Sequence, residues 1–250
     1  MKRFFTKDKT ITLIAALVMI LIWEIAARIM QSDLLLPPPE DTLMAVGTLI
    51  ISKGFLNIIG ATILRGLIGF VISFFLALVF GVFAGINRKF HAAIKPLLVT
   101  IRSTPVISLI LLALIWFQVD QVPVFIALLT MFPIMTTNII DGIRQVDENL
   151  VEMAFIYKVP QKRIIREVYI PATSPYIFSG VSNAMGFGWR AIIIGEVLSQ
   201  PQYGIGTLMQ EAQTYLLVKE LIAWTIIAII ISYLFEFSIR KIEQKVLVWK

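Results

Sequence analysis

The sequence predicts an all-α polytopic membrane protein with six transmembrane helices, both termini cytoplasmic, in one domain covering 1–250. Three observations carry that expectation. The chain is 58% hydrophobic with only 15% charged residues, and its mean hydropathy is +0.86, more apolar surface than one water-soluble core could hide. The apolar residues collect in six segments, each long enough to supply the roughly 20 residues that cross about 30 Å of hydrocarbon. Lysine and arginine gather in alternate loops, the asymmetry that sets orientation in a bilayer.

The first segment, about 10–30, follows Lys2, Arg3, Lys7 and Lys9. A basic start before an apolar run also describes a secretory signal peptide. The length of this run, Trp23 and Glu24 near its outer end, and the lack of a small-residue cleavage pattern favour a retained span. Pro37, Pro38 and Pro39 end it. The second segment, about 58–86, repeats small residues every fourth position: Gly69, Ser73, Ala77, Gly81 and Gly85. In lipid such residues let helix backbones approach closely, so this helix is expected to be central. The basic loop "INRKFH" leads to a third segment, about 93–117, and "QVDQVP" to a fourth, about 122–143. Pro105, Pro123 and Pro133 lie in or beside these two, where each removes a backbone donor and favours a kink. Kinks next to "RSTP" and "FPIMTTN" line a cavity or are satisfied by a neighbouring helix. The fifth segment, about 172–197, is separated by "SQPQYGIG" from the sixth, about 216–239. Lys and Arg before the first span, in the two basic loops and after the last number sixteen, against Lys53 alone in the alternate loops.

Charged side chains inside the segments are few. Arg102 and Arg190 lie deepest, whereas Arg65, Asp141 and Glu196 are near enough to segment ends to snorkel. An ionised group at the bilayer centre costs about 2.5–3.5 kcal/mol on insertion scales, so the deep pair should avoid lipid. Ser179, Asn183, Gly186 and Arg190 recur at intervals of four, three and four, which puts them on one helical face. With Arg102 they are the candidate lining of a polar path. The alternative for Arg190 is a structural ion pair with a nearby carboxylate.

The net charge of +6 does not form one patch, which argues against a nucleic-acid partner. With no cysteine and only His91, thiolate nucleophiles and Cys/His metal clusters are excluded by residue type. No "GxxxxGK[ST]", "HExxH" or "GxSxG" occurs, so neither a nucleotide-binding loop nor a hydrolase centre is encoded in a familiar form.

The loop at about 144–171 is the longest on the basic side and carries five basic and four acidic side chains. "DENLVEMAFIY" opens with helix-favouring acids and sets Leu150, Met153, Ala154 and Tyr157 on one face. Pro160 suits the first position of a second short helix, in which Ile164, Ile165 and Val168 oppose Lys162, Arg163 and Arg166, and Pro171 marks the start of the next span. This charged elbow either lies on anionic headgroups or docks on a protein. Its mixed charges favour the protein.

"EMAFIYKVPQKRIIREVYIP" resembles the EAA loop of ATP-binding-cassette importer permeases: Glu152, Ala154, Val168, Ile170 and Pro171 stand at matching positions. Met153 replaces an alanine of that pattern and Lys158 its glycine. Glycine reaches positive φ cheaply and lysine does not, so Pro160 is expected to set the break. The likeness extends along nearly the whole chain, through "LIWEIAARI", "ATILRGLIGFVISFFLALVFGVFAGIN" and "GFGWRAIIIGEVLSQPQYGIGTLMQEAQTYL", to the taurine, sulfonate and nitrate permease group. That group also carries pyrimidine-type vitamin precursors.

The resemblance implies a type I importer permease of the bacterial cytoplasmic (inner) membrane. It would work as a homodimer with two cytoplasmic ATPase subunits and an extracytoplasmic solute-binding protein. The coupling residues would be Glu152, Met153, Ala154, Lys158, Pro160, Arg163, Arg166 and Pro171. It implies no catalytic group and no cofactor on this chain, ATP and Mg being held by the ATPase partners. Two rival classes are weaker. An ion-coupled secondary carrier should show midplane carboxylates and internal repeats, and a membrane-embedded enzyme needs a nucleophile and base or a metal.

Overall fold

A computed structural model describes residues 2–246, with side chains from Thr10 onward. The side chains of Lys2, Arg3, Lys7 and Lys9, and all of Lys250, lie outside the described residues. Every regular element among the described residues is helical: α1 Lys2–Met30, α2 Pro39–Ile51, α3 Phe55–Ile86, α4 Arg88–Ser103, α5 Val106–Trp116, α6 Val122–Arg144, α7 Glu148–Ile156, α8 Gln161–Ile164, a π-helical turn Ile165–Tyr169, α9 Ile170–Ser199, α10 Ile205–Thr214 and α11 Val218–Val246. Five helical stretches are long and apolar enough to cross a membrane by themselves, and a sixth crossing exists if α4 and α5 are taken together.

The third span is therefore not the single helix that the sequence suggests. It breaks between Ser103 and Val106, and its halves diverge by 97°. Pro105 is the cause: it offers no N–H to bond back into α4, and it holds Thr104 in extended backbone (φ −72°, ψ 129°). Two short helices went unanticipated, α2 and α10. Pro39 at the first position of α2, with Glu40 and Asp41 in its first turn, gives the start that the triple proline encodes.

Compact packing divides the chain into Met1–Asn57 with Leu208–Ile229, and Ile58–Thr207 with Ile230–Lys250. In the first unit most of α1 is exposed, Ile11, Leu13, Met19 and Ile29 among it, as a lipid-facing helix should be. Its C-terminal end is tied: Trp23 donates to the Pro37 carbonyl at 3.1 Å, and Arg28 pairs with Glu24. Lys219 bridges Asp33 at 2.8 Å and Asp41 at 2.6 Å. Trp224 is buried and stacks on Phe55 with centroids 6.1 Å apart.

The second unit is built on α3, α6 and α9. A methyl group placed on Gly69, Gly81 or Gly85 would stand 2.7–2.8 Å from Ala127, Ile139 or Ile143. The small-residue stripe thus lies directly against α6, with Ser73 donating to the Leu128 carbonyl at 3.3 Å and Ala77 fully buried. Rising numbers pair with rising numbers, so α3 and α6 are parallel. Between α6 and α9 the order reverses, with Pro123 facing Gly195, Met131 facing Gly188 and Asn138 facing Gly180. A parallel α3 and α6 oblige the chain between them to return, so α4 and α5 together make one crossing in two pieces. Between these helices lies a core of Met131, Met135, Ile139, Ile140 and Ile192.

Candidate functional site

The elbow at 144–171 is built from its caps outward. Asp147 accepts from the Asn149 N–H at 2.9 Å and starts α7. At the other end the Lys158 N–H bonds the Phe155 carbonyl and the Val159 N–H reaches back to Ala154, both at 2.9 Å. These two bonds make a Schellman stop, whose pivot must be left-handed. Lys158 adopts it, at φ 53°. The expectation that Pro160 would set the break in place of glycine is thus corrected: the lysine keeps the turn, and Pro160 caps α8 two residues later.

The second correction concerns Pro171. It does not open a new helix, because α8, the π turn and α9 form one continuous helix, Gln161–Ser199, of 39 residues. The Ile170 N–H bonds the carbonyl of Ile165, five residues back. That wider turn makes room for the ring of Pro171, which would press on the backbone of a regular α-helix.

On α7 and at its C-cap the side chains of Leu150, Met153, Phe155, Ile156 and Tyr157 are about half exposed or more, Tyr157 reaching 77%. Ala154 is half-buried. Glu152, with Arg88, His91, Arg144 and Glu148, lines a hollow of about 810 Å³ beneath the ends of α3 and α6. Arg163 pairs with Glu167 at 2.9 Å, whereas Arg166 is exposed.

The stripe on α9 faces outward: Ser179, Asn183, Gly186 and Arg190 are all exposed. Arg190 lies 6.0 Å from the centre of the Phe187 ring, and among the described residues no carboxylate pairs with it, contrary to the ion-pair alternative. Asn183 lines a cavity of about 530 Å³ together with Arg102, Thr104, Thr130, Thr137 and Asn138. Arg102 and Asn183 thus come together through the break at Pro105. The other stripe residues lie outside that cavity.

Arg65 and Glu196 do not snorkel. Both are buried, Glu196 completely, and they pair at 2.7 Å. The carboxylate also accepts from the Thr62 hydroxyl and the Gly206 N–H, each at 3.0 Å. Arg65 further donates to Asp120 and to the Tyr203 carbonyl, both at 2.6 Å. Glu196 thereby caps α10, whose Ile205 N–H is taken by Thr62 at 2.9 Å. The glycines of "SQPQYGIG" fit this junction: a methyl on Gly206 would lie 2.4 Å from the Ile193 carbonyl, and one on Gly204 would lie 2.7 Å from the Glu196 carboxylate. Sequence reasoning missed the junction because its members are up to 143 residues apart. Only the density of glycine and polar residues after Ser199 hinted at it.

Residues 77–248 match the family described as binding-protein-dependent transport system inner membrane component. The chain is 28% identical to the aliphatic sulfonates transport permease protein SsuC of Bacillus subtilis (strain 168), over 93% of this chain and 85% of that one. It is 22% identical to the taurine transport system permease protein TauC of Escherichia coli (strain K12), over 91% and 84%. It is 29% identical to the bicarbonate transport system permease protein CmpB of Synechococcus elongatus, over 65% and 59%.

Proposed function

This chain belongs to the family of binding-protein-dependent transport system inner membrane components, and from that premise we propose that it forms the translocation path of an ATP-driven importer and couples to its motor through α7. It is a multi-pass inner-membrane permease of the ABC importer type, with a role in transport rather than catalysis. In this reading two copies assemble with two cytoplasmic ATPase subunits, which carry ATP and Mg, and a solute-binding protein delivers cargo from the far side. Both termini and the 144–171 elbow are cytoplasmic. The cargo is a small solute of the sulfonate, taurine, nitrate or vitamin-precursor kind. Relatives named for aliphatic sulfonates, taurine and bicarbonate favour an oxyanion.

The observation that carries the coupling role is the bare apolar face of α7, flanked by Glu152 and by Arg163 and Arg166. Leu150, Met153, Ile156 and Tyr157 would fill a groove of the ATPase, and charges of both signs around them would fix the orientation. A surface helix on anionic lipid needs its basic residues only. Reversing Arg163 and Arg166 to Glu should sharply reduce co-purification of the ATPase. Normal assembly would mean that the elbow rests on lipid. Glu152→Ala should leave the complex assembled while ATP-driven uptake falls at least about ten-fold, the loss of one charge-assisted hydrogen bond across the joint.

A further inference from the structure

Another cavity opens between α3 and α6 at their N-terminal ends, away from the elbow, and holds about 610 Å³. Ala61, Leu64, Ile68 and Ile72 wall it on α3, and Val124 and Leu128 on α6. From Ala61 to Ile72 the α3 wall runs about 16 Å at 1.5 Å per residue, close to the roughly 15 Å of hydrocarbon in one leaflet. The body of this groove is apolar, with Leu64, Ile68 and Ile72 exposed, and its polar members, Arg65, Asp120 and Gln121, gather toward one end. A protein helix does not fit between its walls. The volume spread over that length leaves a channel roughly 7 Å across, against about 10–12 Å for a helix with its side chains. Membrane helices also approach through small residues, and Gly69, Gly81 and Gly85 of α3 are already against α6. A single alkyl chain has the right length and width.

The mouth of the groove carries one uncompensated negative charge. Glu196 accepts from Arg65, Thr62 and Gly206, a set of donors that suits the ionised carboxylate, so the Arg65 charge is spent there. Asp120 takes a second Arg65 N–H on one oxygen at 2.6 Å. Its other oxygen has no partner among the described residues, and the side chain is 63% exposed. Next to it the Gln121 amide oxygen accepts the Gln118 N–H at 3.4 Å, which leaves the amide N–H groups of Gln121 free among the described residues. We infer that the groove binds one phospholipid with a primary ammonium headgroup, an acyl chain lying between α3 and α6 in the leaflet opposite the elbow. The ammonium meets the free Asp120 oxygen, and the Gln121 amide donates to the phosphate. A trimethylated headgroup has no N–H to give, and a glycerol headgroup adds a second negative charge to a mouth that already holds one. The inference needs only a chain that spans a membrane, and it is independent of the coupling role of α7.

The full-length permease, purified with its ATPase subunits and stripped of lipid in a mild detergent, is titrated with three palmitoyl-oleoyl lipids: phosphatidylethanolamine, phosphatidylcholine and phosphatidylglycerol. Retention of the first bound lipid is read by native mass spectrometry. The ethanolamine lipid should be retained at about ten-fold lower concentration than either of the others, the worth of one charge-assisted hydrogen bond. Asp120→Asn should erase that preference. Ile72→Trp, which fills the floor of the groove, should weaken retention of the ethanolamine lipid about ten-fold or more. Leu67→Trp, on an exposed position of α3 outside the groove lining, should leave it unchanged. Equal retention of the three lipids by the unaltered protein would overturn the headgroup assignment, whether or not a variant folds. Retention indifferent to Ile72→Trp would overturn the groove, and loss of a permease dimer in that variant with lipid retention intact would give the groove to a second copy instead.

Discussion

At position 196 a carboxylate with no exposed surface accepts from Arg65, Thr62 and Gly206. Removing one member of a buried ion pair strands the other, which costs about 3–5 kcal/mol. Arg65→Ala should therefore lower the thermal midpoint of the detergent-solubilised protein substantially. Arg102→Ala, on an exposed and unpaired residue, should leave that midpoint nearly unchanged. An equal drop in both would mean that the Arg65–Glu196 pair is not holding the junction. Lys158 offers the opposite case. An L-residue at φ 53° carries a strain that glycine lacks. Lys158→Gly should stabilise the end of α7 by about 1 kcal/mol, read as slower amide exchange around Tyr157. These two positions mark a limit of sequence reading. Arg65 and Glu196 each sit near the end of an apolar run, where a charge can turn outward to headgroups or inward to a partner, and only the fold brings together side chains 131 positions apart. At Lys158 the residue type argued against the turn, and the two backbone bonds of the helix stop outweighed it.

Among the elements, α3 was legible because its message is periodic and local. A small residue every fourth position defines one face, and α6 lies on it. Gly81→Leu would drive a side chain into Ile139, already 2.8 Å from a bare methyl, and overpacking of this kind costs about 1–3 kcal/mol. The expected result is a fall in folded yield and thermal midpoint. Gly186→Leu, where a methyl meets nothing within 4 Å, should be tolerated by the isolated chain. The third span was legible only in part. The run from 93 to 117 has the hydropathy of one helix, and Pro105 signals a kink without its size, because a proline deep in a membrane helix can be absorbed by neighbours. The opposite error arose at Pro171, where a proline looked like a boundary and a π turn carried the helix through it.

For the whole molecule, the family places this chain in a transport system, and the polar stripe of α9 stands exposed. If two copies enclose the path, Gly186→Cys in the cysteine-free chain should be joined to its counterpart by a short bismaleimide, and ATP should change the yield. A protein that stays monomeric on denaturing gels under all conditions would show that this face does not meet its twin.

The uninterrupted helix from Gln161 to Ser199 has a mechanical meaning. At 1.5 Å per residue it is a stiff beam of about 58 Å. One arm carries the charged elbow, the other carries the carboxylate that holds α10, and the glycine contacts with α6 form the fulcrum between them. Under the coupling proposed above, a push of a few ångströms on the first arm would swing the second in the opposite sense, so that closing at one mouth and loosening at the other would be a single movement of one lever.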